Sequence, residues 1–481
     1  MNNDIENTSI PKNEINIHSL SNEDDVGNVF EWNGRIFRGI RKKYVDDIRN
    51  LIDSGLLDEL KKNNLFPKTT ITDLELNGYE MVLEHEKIPL TSYVYEWSFT
   101  MLKDAAINAI RVNIIADKFG YQTKDCHPYN FIFSNNNPVY IDLGSFFLKP
   151  KTKNWLPLSE FMQFYFYPLK LWKNGNEAMI RSFFSHCLRG GFWHSIYYRL
   201  SSPFSHFLST NTIDKLANGI YKYRSLSFVD SADIEKKAPW NLGSTVTKLR
   251  DAGMLPFLTV NLHRLEKKVS RIQQRKQEST WSNYHDQYQL ESQELKSSSR
   301  FNRIVEIINE LKITSVFELA GNQGVMSRLL IQQTDVSRVI CTDYDANAVD
   351  QLYKMCKQEK LNITPLVYNV KIPVDETPLP PLEDRIDTPE CSMGLALLHH
   401  LILTQGMPLS KIFNRFKVFT SKYVFIEFMP LGLWSKQSPN PHIPDWYNVD
   451  WFREEFCKNF ELVIEEQLET NRILFVGKLT D

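Results

Sequence analysis

None of the six cysteines in these 481 residues forms a Cys-x-x-Cys pair or joins histidine at zinc-ligand spacing, so the chain has neither a disulfide framework nor a structural zinc motif. Free thiols in a reducing cytoplasm are the expectation, and no metal site is assigned. A dominant charge is missing as well. The formal net charge is −2 and the pI about 6.6, which leaves no global basic field to gather nucleic acid. No apolar run reaches the roughly 18 residues of a membrane-spanning helix. Residues 161–207 are thick with aromatics but broken by Lys, Arg and His; they read as buried helices of a globular lobe, with a membrane-surface or partner-binding face as the alternative. Residues 1–27, rich in Asn, Asp, Glu and Ser, lack the basic and apolar regions of a secretion signal and read as a flexible tail.

What is present is the composition of a folding chain, 42% hydrophobic and 24% charged, with length for two to three domains. Asn33-Gly34, between Phe30 and Ile40, is the strongest short hairpin signal a sequence offers. Apolar spacing over 44–63 predicts one or two short helices, 79–83 a strand and 95–119 a long helix. Two short strands, 131–133 and 139–141, flank an Asn-rich turn. The 241–278 stretch reads as a helical connector with a solvated, charged face. Strands and helices then alternate from 315 to 428, and two final strands, 460–467 and 472–478, meet at a tight turn. That pattern predicts an α/β domain over 279–481 with a mostly parallel sheet and an antiparallel last strand.

Val316 to Leu330 reads as strand, glycine-bearing turn and helix start, in which Gly321 and Gly324 allow close backbone approach by a ligand. Asp343 ends the next strand, where a carboxylate accepts both ribose hydroxyls of a nucleoside; its other reading, a helix N-cap, suits Asp345 better. Asn369, after the third strand, faces an adenine edge or simply forms a turn. His399 and His400 interrupt the apolar run at the end of the fourth strand, the edge where doubly wound folds bind ligands. An imidazole there deprotonates an acceptor hydroxyl or is a hydrogen-bonded structural histidine.

These segments, with Trp281 to Tyr284, Lys296, Phe317 to Gly324, Asp343-Tyr-Asp345, Leu395 to His400, Met407 to Leu409 and Ile426 to Phe428, resemble a bacterial family of nodulation-protein-like class I S-adenosylmethionine-dependent methyltransferases. Glu318 and Ala320 depart from that family's Asp-Leu-Gly start. The resemblance implies S-adenosylmethionine as cofactor, with Glu318, Ala320, Gly321, Asn322, Gly324, Asp343, Tyr344, Asn369, Tyr284 and Lys296 around it, and Glu427 beside the two histidines as catalytic candidates.

In residues 28–240, Lys124-Asp125 to Asn130 and Asp142-Leu-Gly144 look like the core of protein-kinase-like and aminoglycoside-phosphotransferase-like folds. There the first Asp serves the acceptor hydroxyl while Asn130 and Asp142 hold magnesium. No glycine-rich phosphate loop accompanies them, and Arg38 stands where a strand lysine is expected. The same family carries a similar upstream segment, so the expectation is one two-part protein with an α+β, degenerate kinase-like domain; magnesium and ATP enter only if that half is active. The leading function is methyl transfer to oxygen of a surface-glycan or lipid-linked saccharide, or another small-molecule acceptor. The alternatives are a bifunctional kinase and methyltransferase that caps a polysaccharide, and a non-catalytic scaffold. Location in the cytoplasm, at the inner membrane face or with a glycosyltransferase complex completes the expectation.

Overall fold

The computed structural model describes residues 9–18, 21, 24–149, 155–186, 194–201, 260–274, 298–371, 379–434 and 442–480. Tyr284 and Lys296 lie outside them. The chain divides into two compact units, residues 1–88, 102–134 and 138–275 in the first, and 89–101, 135–137 and 276–481 in the second. Among the described residues no helix is long and apolar enough to cross a membrane.

The first unit starts with a five-stranded antiparallel sheet in the order β1 (Asn16–Ile17), β2 (Gly27–Trp32), β3 (Arg35–Ile40), β5 (Met81–His85), β4 (Thr69–Ile71). Asn33 and Gly34, at φ 50° and 71°, make the tight turn between β2 and β3 as their sequence predicts. Helices Val45–Asp53 and Leu56–Lys62 cover the 44–63 stretch. After helix Phe99–Lys118 come β6 (Tyr121–Thr123), paired with β9 (Phe146–Leu148), and the hairpin of β7 (Phe131–Ser134) and β8 (Asn137–Tyr140). Residues 158–173 and 177–186 are helical, with Phe161, Tyr165, Tyr167 and Trp172 buried. In the connector region, helix Leu262–Ser270 is described.

The second unit is built on a seven-stranded sheet in the order β12 (Ile363–Val367), β11 (Arg338–Asp343), β10 (Ser315–Leu319), β13 (Cys391–Gly394), β14 (Tyr423–Phe428), β16 (Arg472–Leu479), β15 (Phe460–Glu469). β10 to β14 are mutually parallel, and β16 runs antiparallel to both neighbours. This is the mostly parallel α/β sheet with an antiparallel finish that the alternating pattern predicts. Its central strands are buried on both faces, as Val316, Phe317, Val339, Met393 and Phe425 are. Phe317 stacks on Phe419 at 3.9 Å. Each such side chain contributes roughly 1.5–3 kcal/mol of burial.

Sequence periodicity starts the long helix at Tyr95, but the structure starts it at Phe99. The reason lies far along the chain. Asp350 accepts hydrogen bonds from Ser98 Oγ (2.7 Å), Thr100 N (2.7 Å) and Thr100 Oγ1 (2.9 Å), so a distant carboxylate satisfies an orphan donor of the helix start. Glu96, 3% exposed, pairs with buried Arg385, whose guanidinium also lies 4.1 Å from the Tyr93 ring. Segment 89–101, assigned from sequence to the N-terminal domain, thus belongs to the second unit, with Trp97 fully buried there.

Candidate functional site

Above the carboxyl ends of β10, β11, β12 and β13 lies a cleft of about 590 Å³, the size of a small-molecule site. Nine of the sequence candidates line it: Glu318, Ala320, Gly321, Asn322, Asp343, Tyr344, Asn369, His399 and His400. Gly324 and Glu427 do not. Sequence reading missed Arg300, Tyr368, Lys371 and Arg472, which also line it. Arg300 sits on a helix upstream of the motif and Arg472 on the antiparallel strand, so no local pattern marks either.

The loop after β10 is strained. Ala320 and Asn322 hold φ of 56° and 52°, a region costly for residues with a Cβ. Gly321 and Gly324, the positions expected to allow close approach by a ligand, also meet the chain itself closely. A Cβ on Gly321 would lie 2.5 Å from Cys341 Sγ, and one on Gly324, at φ 67°, 2.7 Å from Leu352 Cδ1. These glycines let the loop settle onto β11 and the helix Ala346–Glu359. Glu318 lies beneath that loop and accepts from Ser327 N (3.2 Å) and from the Ser327 hydroxyl, capping the helix Val325–Gln333. Burial pushes its carboxyl up to about 7, against the pull of those bonds.

Asp343 is 9% exposed. Its Oδ2 accepts from Asn322 N and its Oδ1 from Asp345 N, each at 2.8 Å. Burial raises its pKa to about 6 although these amides favour the charged form. The N-cap of helix Ala346–Glu359 is Asp345, whose carboxylate accepts from Asn347 N and Ala348 N; Asp343 is left to the cleft. Asn369 Oδ1 accepts from Lys371 N at 3.0 Å, and the residue lines the cleft. Tyr344 is 71% exposed at the cleft's edge.

β13 ends at Gly394, short of the Leu397 expected from the apolar run. The following residues leave the strand because Ala396 takes φ 51° and donates its N–H to Glu427 Oε2 at 2.9 Å. Glu427 is fully buried. Burial would raise its pKa, but Arg300 and Arg472 together hold it below the usual carboxylate value. Glu427, expected as a catalytic group, is therefore a positioning residue: it anchors the loop that carries the histidines and is sealed from the cleft. His399 is 5% exposed, and burial, then His400 and Arg472, lower its pKa to about 3. No partner among the described residues meets its Nδ1. His400 is less deeply placed, with its pKa lowered by burial; the two rings lie 4.1 Å apart. Both imidazoles are neutral near pH 7.

In the first unit the structure brings Arg38, Asp125, Asn130 and Asp142 together. Asn130 Nδ2 donates to Asp125 Oδ1 (2.6 Å) and Asp142 Oδ2 (3.4 Å). Arg38, from β3, places Nη1 2.8 Å from Asp24 Oδ2 and 4.0 Å from Asp142 Oδ1. Burial raises the Asp142 pKa to about 6, with Arg38 opposing the shift. Among the described residues no three His, Cys, Asp or Glu side chains are placed to hold a metal ion.

The chain matches no family model. It is 22% identical over 435 residues to the nodulation protein NoeA of Rhizobium meliloti (strain 1021), a match spanning 85% of this chain and 83% of that one. Solved structures similar to it include the methyltransferase domain of bacterial CtHen1, at 12% identity and TM-score 0.30, covering 39% of this chain and 100% of that one. A SAM-dependent methyltransferase from Aquifex aeolicus matches at 13% identity and TM-score 0.30, covering 41% and 98%. The PH0226 protein from Pyrococcus horikoshii OT3 matches at 16% identity and TM-score 0.32, covering 41% and 99%.

Proposed function

We propose that this protein is a methyltransferase dependent on S-adenosylmethionine, acting on an oxygen of a saccharide or similar small acceptor. The observation that carries the reading is Asp343. Its carboxylate is oriented by two backbone amides at the carboxyl end of β11 and faces a cleft across the neighbouring parallel strands. The donor set fits the cofactor. Asp343 is matched to ribose hydroxyls, the loop 320–322 to the amino-acid part, and Tyr344 and Asn369 to the adenine side. Bound there, the cofactor supplies an electrophilic methyl group.

The residues of this chain do the rest. The cleft positions the acceptor, which is where much of the rate of a two-substrate transfer originates. His400, neutral and less buried than His399, accepts the acceptor's proton. Glu427, through Ala396, fixes the loop on which both stand. For the acceptor, the exposed Trp434 and Trp446 follow β14 in sequence, after Met429 at the cleft; flat indole faces suit a sugar ring. Calorimetry with S-adenosylhomocysteine tests the cofactor reading: a saturable site, weakened in Asp343→Ala, supports it, and equal binding by both proteins rejects it.

For the first unit the reading is a degenerate kinase-like domain. Its five-stranded sheet, the β7–β8 hairpin and the Asp125, Asn130 and Asp142 cluster support the likeness. The Arg38 guanidinium already supplies the positive charge that phosphoryl transfer would draw from a metal.

A further inference from the structure

Helix Leu262–Ser270 and the residue after it carry Arg264, Lys267, Lys268 and Arg271 at spacings of three, one and three, which puts all four on a single stripe. As part of a connector this stripe reads from sequence as a solvated face. The structure instead aims it at more positive charge. Lys170 and Lys173 of helix Tyr167–Lys173 stand across from it, and the six cations line a cleft of about 390 Å³ in the first unit. Among the described residues no carboxylate lines this cleft, and none of the six is in a salt bridge. The one acid of the helix, Glu266, is turned to Arg111, 2.7 Å away. Lys268 is steadied over the Phe166 ring at 4.7 Å.

Helix polarity accounts for part of this. Lys170, Lys173, Lys267 and Lys268 lie in last turns, where carbonyl ends favour cations. It does not account for Arg264, which sits in the first turn, where the dipole disfavours a cation, nor for two cationic sets facing each other. Opposed like charges are stable together when an anion lies between them.

We propose that this cleft binds a compact phosphate-rich anion, a diphosphate group held by Arg264 and Arg271 with the lysines around it. Guanidinium forks match phosphate oxygens two at a time, and several charges on one small ligand answer six cations better than a single carboxylate does. A short cleft of this volume also suits a diphosphate better than a polynucleotide, which needs an extended basic track. The group arrives on a soluble molecule or as the headgroup of a lipid; the chemistry is shared.

The test uses the full-length protein with two probes, inorganic pyrophosphate by calorimetry and phosphatidylcholine vesicles with or without phosphatidic acid by co-sedimentation. The variants are Lys170→Gln/Lys173→Gln and Arg264→Gln/Arg271→Gln, with Lys458→Gln, in the second unit, as the control. Pyrophosphate binding that weakens at least about tenfold in both double variants, steeply with salt, supports a site for soluble diphosphates. Binding only to the phosphatidic-acid vesicles, lost in the same variants, supports a lipid source. Circular dichroism and retained S-adenosylhomocysteine binding show that the variants are folded. Absence of binding to either probe, or binding unchanged in both variants, overturns the proposal and leaves the cations to the helix ends.

Discussion

Arg300 and Glu427 form a bidentate pair, Nε to Oε1 at 2.6 Å and Nη2 to Oε2 at 2.8 Å, with Arg472 adding a third bond to Oε2 at 3.0 Å. The carboxylate is buried and the arginines reach the cleft. Removing the carboxylate strands the buried Arg300 guanidinium and leaves Arg472 paired with Glu469. Glu427→Ala is expected to cost about 3–5 kcal/mol in the second unit, read by urea unfolding. A folded variant of unchanged stability that has lost only turnover would instead make Glu427 a catalytic base.

Asp343 gives cofactor binding a pH signature. Its pKa is raised to about 6, chiefly by burial, and an ionised carboxylate is the better acceptor for hydroxyl donors. Affinity for S-adenosylhomocysteine should fall as pH drops through about 6. The stability term runs oppositely: a raised carboxyl pKa stabilises the fold at low pH, and that contribution fades as pH rises through about 6. Asp343→Ala should bind at least about tenfold more weakly at pH 8. A wild-type affinity that is flat from pH 5 to pH 8 would remove Asp343 from the contact.

The histidines should separate. His399, at about pKa 3, is a poor proton acceptor, whereas the His400 pKa is lowered by burial alone and its ring is the less buried of the two. His400→Gln should lower kcat by roughly a hundredfold with cofactor affinity kept. His399→Gln should change turnover less but alter acid stability. A depressed histidine pKa contributes stability above its unfolded value near 6.5, lost as pH falls toward about 3. Equal kcat losses in the two variants would contradict the assignment.

In the first unit, Arg38 stands in for a cation between Asp24 and Asp142. Adding magnesium should leave the melting temperature unchanged, ATP should not be turned over, and Asp142→Asn should retain methyl transfer. Arg38→Met should lower the melting temperature, because it strands those carboxylates. A magnesium-dependent phosphorylated acceptor, lost in both Asp125→Asn and Asp142→Asn, would restore an active kinase.

Segment 89–101 should be needed by the second unit. Among the described residues, Ser98→Ala with Thr100→Val leaves Asp350 only the Thr100 amide and Lys354 as hydrogen-bond and ion-pair partners. The expected loss is about 1–3 kcal/mol, seen as a lower unfolding midpoint. An isolated 276–481 fragment as stable as the same unit in the full chain would show that the segment is dispensable.

Local chemistry fixed much of this protein in advance. Alternating apolar strands and amphipathic helices specify a parallel sheet because each element must bury its own face, and Asn33-Gly34 specifies a hairpin through two left-handed residues. The strand-turn-helix at 316–330 and Asp343 at the end of the next strand mark a cleft because sheet polarity collects strand ends at one edge. Tertiary structure decided what depends on residues far apart in sequence. Arg300 and Arg472 reach Glu427 across 127 and 45 positions and bury a catalytic candidate in an ion-pair cluster. Asp350 sets the start of a helix 250 residues upstream. A connector face that looks solvated becomes one wall of a cleft only when packing sets Lys170 and Lys173 across from it. Periodicity reports which face of an element is buried, while the groups that meet it are chosen by long-range packing and charge pairing.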